Sequence, residues 1–213
     1  MLKGGLIKNR TYLIKGGPGT GKTILSMHFL TEGAKRGEKV TYVTFEEPED
    51  EVRANMESLG FDLTNVQIID LSPTSDHPIL SSLIEGGLDV STFEMILSDV
   101  LKKDIDRIVL DSITMLKVAS PSEMEYRRSL LKLSKAFKDL KATALLVGEV
   151  ESSVEDYLVS GVIELLTMDV KGRVVRGLRI VKMRGSDFDE TVRPYRITGR
   201  GIEVYPDLSV FEV

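Results

Sequence analysis

Along the first two thirds of the chain, apolar and polar positions follow two alternating rhythms. "RTYLIKG" (Arg10–Gly16) is a short run of β-formers that predicts a strand feeding a glycine-rich loop. In "GKTILSMHFLTEGAKRG" the spacing changes. Ile24, Leu25, Met27, Phe29 and Leu30 recur at helical intervals until Gly37 stops them. "KVTYVTF" predicts a second strand, and Pro48 with Glu49 and Asp50 predicts a helix start, because proline is tolerated there and acids oppose the helix dipole. That helix is expected to run to about Leu59, ahead of Gly60. "NVQIIDL" reads as a third strand, "SPTSDHPILSSLIEGGL" as a loop with a helical piece, and "STFEMILSDVLKKD" as a capped helix. "DRIVLDSIT" is a nearly continuous apolar run ending in an acid, as buried parallel strands are. "SEMEYRRSLLKLSKAFKDLKA" is a long amphipathic helix, and "TALLVGEV" is the strand after it.

Strand and helix alternate to this point, which predicts an α/β fold with a mostly parallel central sheet flanked by helices. Beyond it the rhythm is strand after strand. "GVIELLTMDVKGRVVRGLRIVKMRG" predicts a hairpin turning at "VKGR", and "RPYRITGRGIEVY" predicts further short strands. The C-terminal third is therefore expected to extend the sheet in antiparallel fashion. With no linker, repeat or low-complexity tract, residues 1–213 are expected to form one domain.

The loop between the first strand and helix carries the chemistry. Gly16-x-x-x-x-Gly21-Lys22-Thr23 matches the phosphate-loop pattern in its proper setting, strand before and helix after. Glycines let backbone N–H groups turn inward around a phosphate, and the helix starting near Gly21 points its positive end at the same anion. Gly17, Pro18, Gly19, Thr20, Gly21, Lys22, Thr23 and Ile24 are the expected contacts to a nucleoside triphosphate. Lys22 is expected to reach the β- and γ-phosphates, and the Thr23 hydroxyl to ligate Mg²⁺.

A second magnesium acid is expected at the end of a neighbouring strand. Asp111 closes "RIVLD" in that position, and Asp70, closing "VQIID", ranks below it because a polar, proline-containing loop follows. Glu46 and Glu47 end the second strand, where ligand-contacting groups gather in open α/β sheets. Adjacent strand residues point to opposite faces, so one of the two is expected to face the nucleotide as a general base. Alternatively, Glu47 belongs to the start of the helix at Pro48.

Taken together, these residues resemble the RecA-like ATPases of the KaiC family, which includes the circadian clock ATPase and archaeal single-domain relatives. "GGPGTGKT", "GEKVTYVTFEEP", "VRANMESLGFD", "RIVLDSIT", "GVIEL" and "KMRGS…ITGRGIEV" carry the resemblance over nearly the whole chain. It implies a RecA-like P-loop NTPase that binds ATP with Mg²⁺ and hydrolyses it slowly at a subunit interface. It implies Glu46 and Glu47 as the source of the catalytic base, Asp111 as the Walker B acid, and Ser58 near the nucleotide. It also implies that Lys182 and Arg184 reach into a neighbour's site as a finger pair, with Arg176, Ser186 and Thr198 lining that neighbour's nucleotide. Lys182 and Arg184 stand two apart on a strand and so share a face, a pattern equally compatible with a solvated basic edge. A homo-oligomer, ring-like and hexamer-like in relatives, follows from the resemblance.

The chain departs from the clock protein in four ways. It has one phosphate loop rather than two domains, and no Ser-Thr pair precedes "GVIEL", so clock-type autophosphorylation is not expected. "MLKGGLIKNR" begins inside a leading segment that helps close the ring in relatives, which predicts weaker assembly. Phe188 stands in "GSDF" where the clock protein has histidine.

Composition narrows the alternatives. A net charge of -5 over 213 residues argues against a uniformly basic nucleic-acid surface. Arg127, Arg128, Lys132, Lys135, Lys138 and Lys141 on the long helix could track a DNA backbone in a recombinase-like ATPase, but aromatic stacking partners are sparse and a solvated face is expected. An ATP-dependent switch with negligible turnover is the other alternative. No apolar run is long enough to span a bilayer, and the absence of cysteine fits the cytoplasm. The two histidines, His28 and His77, cannot build a histidine-rich metal site, and His28 is expected to be packed or at the surface.

Overall fold

The structure, a computed structural model, describes residues 1–75, 98, 100, 104–149, 154–170 and 172–212. His77, most of the helix expected over "STFEMILSDVLKKD" and the middle of the "VKGR" turn lie outside the described residues.

The strands are β1 (Thr11–Gly16), β2 (Val40–Thr44), β3 (Val66–Asp70), β4 (Arg107–Asp111), β5 (Thr143–Gly148), β6 (Gly161–Val170), β7 (Arg173–Met183), β8 (Arg193–Thr198) and β9 (Gly201–Val204). They form one nine-stranded sheet in the order β3-β2-β4-β5-β1-β6-β7-β8-β9. Pairing is parallel from β3 through β6 and antiparallel from β6 through β9. The expected antiparallel extension begins with the β6–β7 hairpin, and β6 joins it to the parallel part by pairing in parallel with β1.

Helices cover the faces: α1 (Lys22–Lys35), α2 (Glu49–Ser58), α3 (Thr114–Ala119), α4 (Glu123–Asp139) and α5 (Val154–Leu158). Strand alternation divides the core in two. Tyr12, Ile14, Tyr42, Val109, Leu145 and Val147 face Met27 and Leu30 of α1. Leu13, Val43, Ile108, Leu110, Ala144 and Leu146 face Tyr126, Leu130, Leu133 and Phe137 of α4. Those four α4 residues recur at i, i+4, i+7 and i+11, which is one stripe of a helix. Burying each such side chain contributes about 1.5–3 kcal/mol, enough to hold a helix whose other face is charged. Ser122 Oγ caps α4 by accepting the Glu125 N–H at 3.2 Å, and the basic positions Arg127, Arg128, Lys132, Lys135 and Lys138 are exposed, as expected. Among the described residues no helix is long and apolar enough to cross a membrane.

Register aligns the chemically interesting strand ends. Thr44 of β2 pairs with Asp70 of β3 and Asp111 of β4, Asp111 pairs with Val147 of β5, and Lys15 of β1 pairs with Gly148. The phosphate loop and two acidic strand ends, Asp70 and Asp111, therefore share one edge of the sheet, where ligands bind in open parallel folds.

Candidate active site

The loop Gly16–Gly21 is shaped by its glycines. Gly19 and Gly21 adopt φ of 70° and 91°, a left-handed conformation that disfavours a side chain. A Cβ on Gly21 would also lie 3.2 Å from the Cδ1 atoms of Ile197 and Ile202, which close over the loop from β8 and β9. Thr20 Oγ1 donates to Gly17 O at 2.8 Å, and the Tyr195 hydroxyl donates to Thr20 O at 2.5 Å. Burial pushes the Tyr195 phenol up to about 12, so it stays protonated and able to donate. Lys22 Nζ folds back onto Gly16 O at 2.8 Å and Gly17 O at 3.1 Å.

The start of α1 has no side-chain cap and no acid in its first turn. That leaves amide donors and the positive helix end for an external anion. The start of α2 differs: Glu49, Asp50 and Glu51 occupy its first turn, and Asp70 Oδ2 accepts the Glu49 N–H at 3.0 Å. Asp70 Oδ1 accepts the Ser72 N–H at 2.8 Å. The carboxylate ranked second for the metal is thus occupied in building the β3 end and the α2 start.

Asp111 sits where the sequence predicts the metal acid. Its Oδ2 accepts the Thr23 hydroxyl at 2.8 Å and the Tyr42 hydroxyl at 2.8 Å. Burial raises the pKa of Asp111; the two hydroxyl donors oppose that shift, Glu46 adds to it and Lys22 counters it. The Asp111–Ser112 peptide is cis. Ser112 Oγ donates to Glu46 Oε1 at 2.8 Å, which ties this glutamate to the residue beside Asp111. Glu47 is held differently. Its backbone bonds to Thr44 Oγ1, and its carboxylate accepts from Asn55 of α2. Both glutamates lie in the bend after β2, which ends at Thr44 rather than at Glu46 and Glu47 as the sequence predicts, so strand alternation does not orient them; their separate partners do.

The donor set fits Mg²⁺. It is all oxygen, and the Thr23 hydroxyl directs its proton to Asp111, leaving its lone pairs for a hard cation. Among the described residues no group of three or more His, Cys, Asp or Glu could hold a metal ion. A cation here would need phosphate oxygens as additional ligands, which is how Mg²⁺ is usually held with nucleotides.

The remaining predicted residues are dispersed over the fold. Ser58 ends α2, with its hydroxyl on Asn55 O, and Gly60 beyond it faces Gly199 O across the β8–β9 turn. Thr198 ends β8 beside that turn, its hydroxyl donating to Glu203 Oε1 at 3.2 Å. Ile24 packs against the α1-side core. The structure does not bring Lys182, Arg184, Arg176 or Ser186 into hydrogen bonds with the loop of the same chain. Lys182 Nζ donates to Asp156 O and, at 2.8 Å, to Val159 O; Arg184 Nη2 donates to Tyr157 O at 2.8 Å. Burial lowers the Lys182 pKa, helped by nearby Arg184 and opposed by Asp156. Arg176 is exposed on β7, and Ser186 bonds to Asp187 O.

Four residues that sequence reasoning did not single out take part. Tyr42, Ser112 and Tyr195 are described above. Lys15, next to the loop, is buried against the Asp156 carboxylate at 2.6 Å. A tyrosine two positions from a strand end was the one legible signal; the partners are remote in sequence.

A mixed sheet with a phosphate loop at the end of its central strand, and a buried aspartate at the end of a nearby parallel strand that meets the loop's threonine, defines a RecA-like P-loop ATPase. The family model for the KaiC ATPase matches residues 1–209. A UPF0273 protein of Aeropyrum pernix is 30% identical over 99% of this chain and 91% of its own length. The circadian clock oscillator protein KaiC of Synechococcus elongatus is 30% identical over 95% of this chain but only 41% of its own length. Among solved structures, the KaiC-like protein PH0186 from Pyrococcus horikoshii OT3 superposes with a TM-score of 0.80 at 28% identity, covering 96% of this chain and 93% of that one. The chain belongs to the KaiC ATPase family.

Proposed function

We propose that residues 1–213 act as one ATPase domain that binds ATP with Mg²⁺ at the Gly16–Thr23 loop and hydrolyses it slowly. The observation that carries this reading is the linked constellation at the loop's mouth: Thr23 and Tyr42 on Asp111, with Glu46 on the adjacent Ser112. Loop amides and the uncapped start of α1 receive the phosphates. Lys22, resting on two loop carbonyls, exchanges them for phosphate oxygens. Thr23 and Asp111 would hold Mg²⁺, which when bound neutralises charge on the β- and γ-oxygens. Glu46, with Glu47 beside it, orients the attacking water and accepts its proton.

Completion of the site by a second copy is part of the proposal. Lys182 and Arg184 then serve a neighbouring subunit's phosphates, and Ser58, Arg176, Ser186 and Thr198 contribute around the two nucleotides. An arginine finger is worth ~10³–10⁵ in rate, so a subunit without a neighbour should turn over very slowly. Nucleotide-dependent self-association, used to drive or regulate assembly or signalling, follows from such an arrangement.

One observation favours a second reading, an ATP-dependent switch with negligible turnover. Both candidate fingers are satisfied within their own chain by carbonyls at the end of α5. Steady-state ATP hydrolysis with light scattering separates the two. Turnover that rises with protein concentration, together with a nucleotide-dependent increase in mass, supports the hydrolase. ATP binding with no turnover at any concentration supports the switch. The Glu46→Gln/Glu47→Gln variant should retain ATP and lose turnover; equal hydrolysis by that variant would refute the base assignment.

A further inference from the structure

Tyr42 is among the largest fully buried side chains, at 2% exposure, yet its hydroxyl is not among apolar atoms. It donates to Asp111 Oδ2 at 2.8 Å, the same oxygen that accepts Thr23. From this we infer that Tyr42 is a positioning residue for the metal-binding acid; the inference rests on the ATP–Mg²⁺ reading above.

The geometry leaves the side chain little choice. Tyr42 lies on β2 opposite Val109 of β4, two residues before Asp111. Its ring packs in the α1-side core with Met27, Leu30 and Val109, so the ring is fixed by packing and the hydroxyl by the ring. Asp111 in turn has two rotatable side-chain bonds, which the strand pairing that holds its backbone does not fix. Two hydroxyls of unlike flexibility converge on Oδ2. Thr23 sits on the loop and helix that receive the nucleotide, and Tyr42 belongs to the rigid sheet. Among the described residues Oδ1 takes neither hydroxyl. Tyr42 therefore holds the carboxylate in one orientation whether or not Thr23 is engaged elsewhere, and leaves the second oxygen directed independently of the loop. Ligand-orienting partners of this kind usually contribute 10–100-fold to metal affinity.

The test uses Mn²⁺ with ADP, a pair that binds without turnover. Electron paramagnetic resonance gives the Mn²⁺ affinity of the ADP complex, and a separate titration with chelator gives metal-free ADP affinity. Tyr42→Phe keeps the packed ring and removes one oxygen. It should weaken Mn²⁺ by about tenfold or more, while metal-free ADP affinity stays within twofold. The metal concentration for half-maximal ATP turnover should rise, with the limiting rate at saturating metal nearly unchanged. Asp111→Asn, measured alongside, should weaken Mn²⁺ at least as much and should not be rescued by saturating metal. Unchanged Mn²⁺ affinity in Tyr42→Phe overturns the positioning role, even if thermal stability falls, because a packing role alone predicts only the latter. Failure of the unmodified protein to bind Mn²⁺ with ADP overturns the ATP–Mg²⁺ reading itself and removes the basis for Tyr42's role.

Discussion

Acidification should loosen the hairpin that leans on the phosphate loop, and His28 is the reason. Its Nε2 accepts the Ile202 N–H at 2.9 Å, and its ring meets Phe61 edge-on at 4.7 Å. A protonated imidazole has no lone pair, so protonation leaves the Ile202 amide without its acceptor and sets two donors against each other. Burial, and secondarily the charge of Lys35, hold the His28 pKa below its usual value of 6.5. The folded state therefore binds fewer protons than the unfolded chain, and stability rises with pH in this range. The contribution is fully present above about pH 6.5 and is lost as pH falls through the depressed folded-state value.

Leaving a part-buried amide unpaired costs about 1–3 kcal/mol. For a domain of this size that corresponds to roughly 2–12 °C in Tm. Carboxylates also titrate on acidification, so the informative quantity is a difference between variants. His28→Gln can supply an acceptor oxygen that does not titrate. Melting followed by circular dichroism from pH 8 to pH 5 should show a steeper loss in the unmodified protein than in His28→Gln. Parallel profiles would refute the assignment of this slope to His28.

Two further predictions concern the site. Gly21→Ala places a side chain at φ 91° and within 3.2 Å of Ile197 and Ile202, so it should destabilise by about 1–3 kcal/mol and weaken ATP binding at least tenfold; a melt and an ATP titration check both. Lys182→Ala/Arg184→Ala should preserve ATP affinity while lowering concentration-dependent turnover by two orders of magnitude or more, and unchanged turnover in steady-state assays would rule out the trans fingers.

The sheet and the loop were legible for local reasons. A strand reads from period-two runs, and the phosphate loop carries its glycines, lysine and threonine within a few residues. Asp111 stood out as a candidate because it closes the buried apolar run of β4, as Asp70 closes that of β3, and it is Asp111 that meets Thr23 of the loop. The rest depended on pairings that leave no local trace. Thr23 and Asp111 are 88 residues apart, and Tyr195 and Thr20 are 175 apart. Glu46 and Glu47 lie past the end of β2, so strand alternation does not orient them, and the partner each takes depends on Ser112 and Asn55, set by the register of β4 and the placement of α2. The parallel pairing of β6 with β1 was hidden because β6 looks the same from sequence whichever direction its inner neighbour runs. The short helices α3 and α5 carry too few residues to display a period.

The placement of the last strands on the first loop has a consequence for synthesis. The ribosome makes the Gly16–Gly21 loop early, yet β1 lies between β5 and β6, so its two neighbours emerge only with residues 143–148 and 161–170. The contacts that close over the loop come later still, from Tyr195, Ile197 and Ile202. A nascent chain therefore carries the nucleotide motif long before it carries the nucleotide site. The loop is therefore expected to gain its closing contacts only once translation has passed through the β8–β9 hairpin.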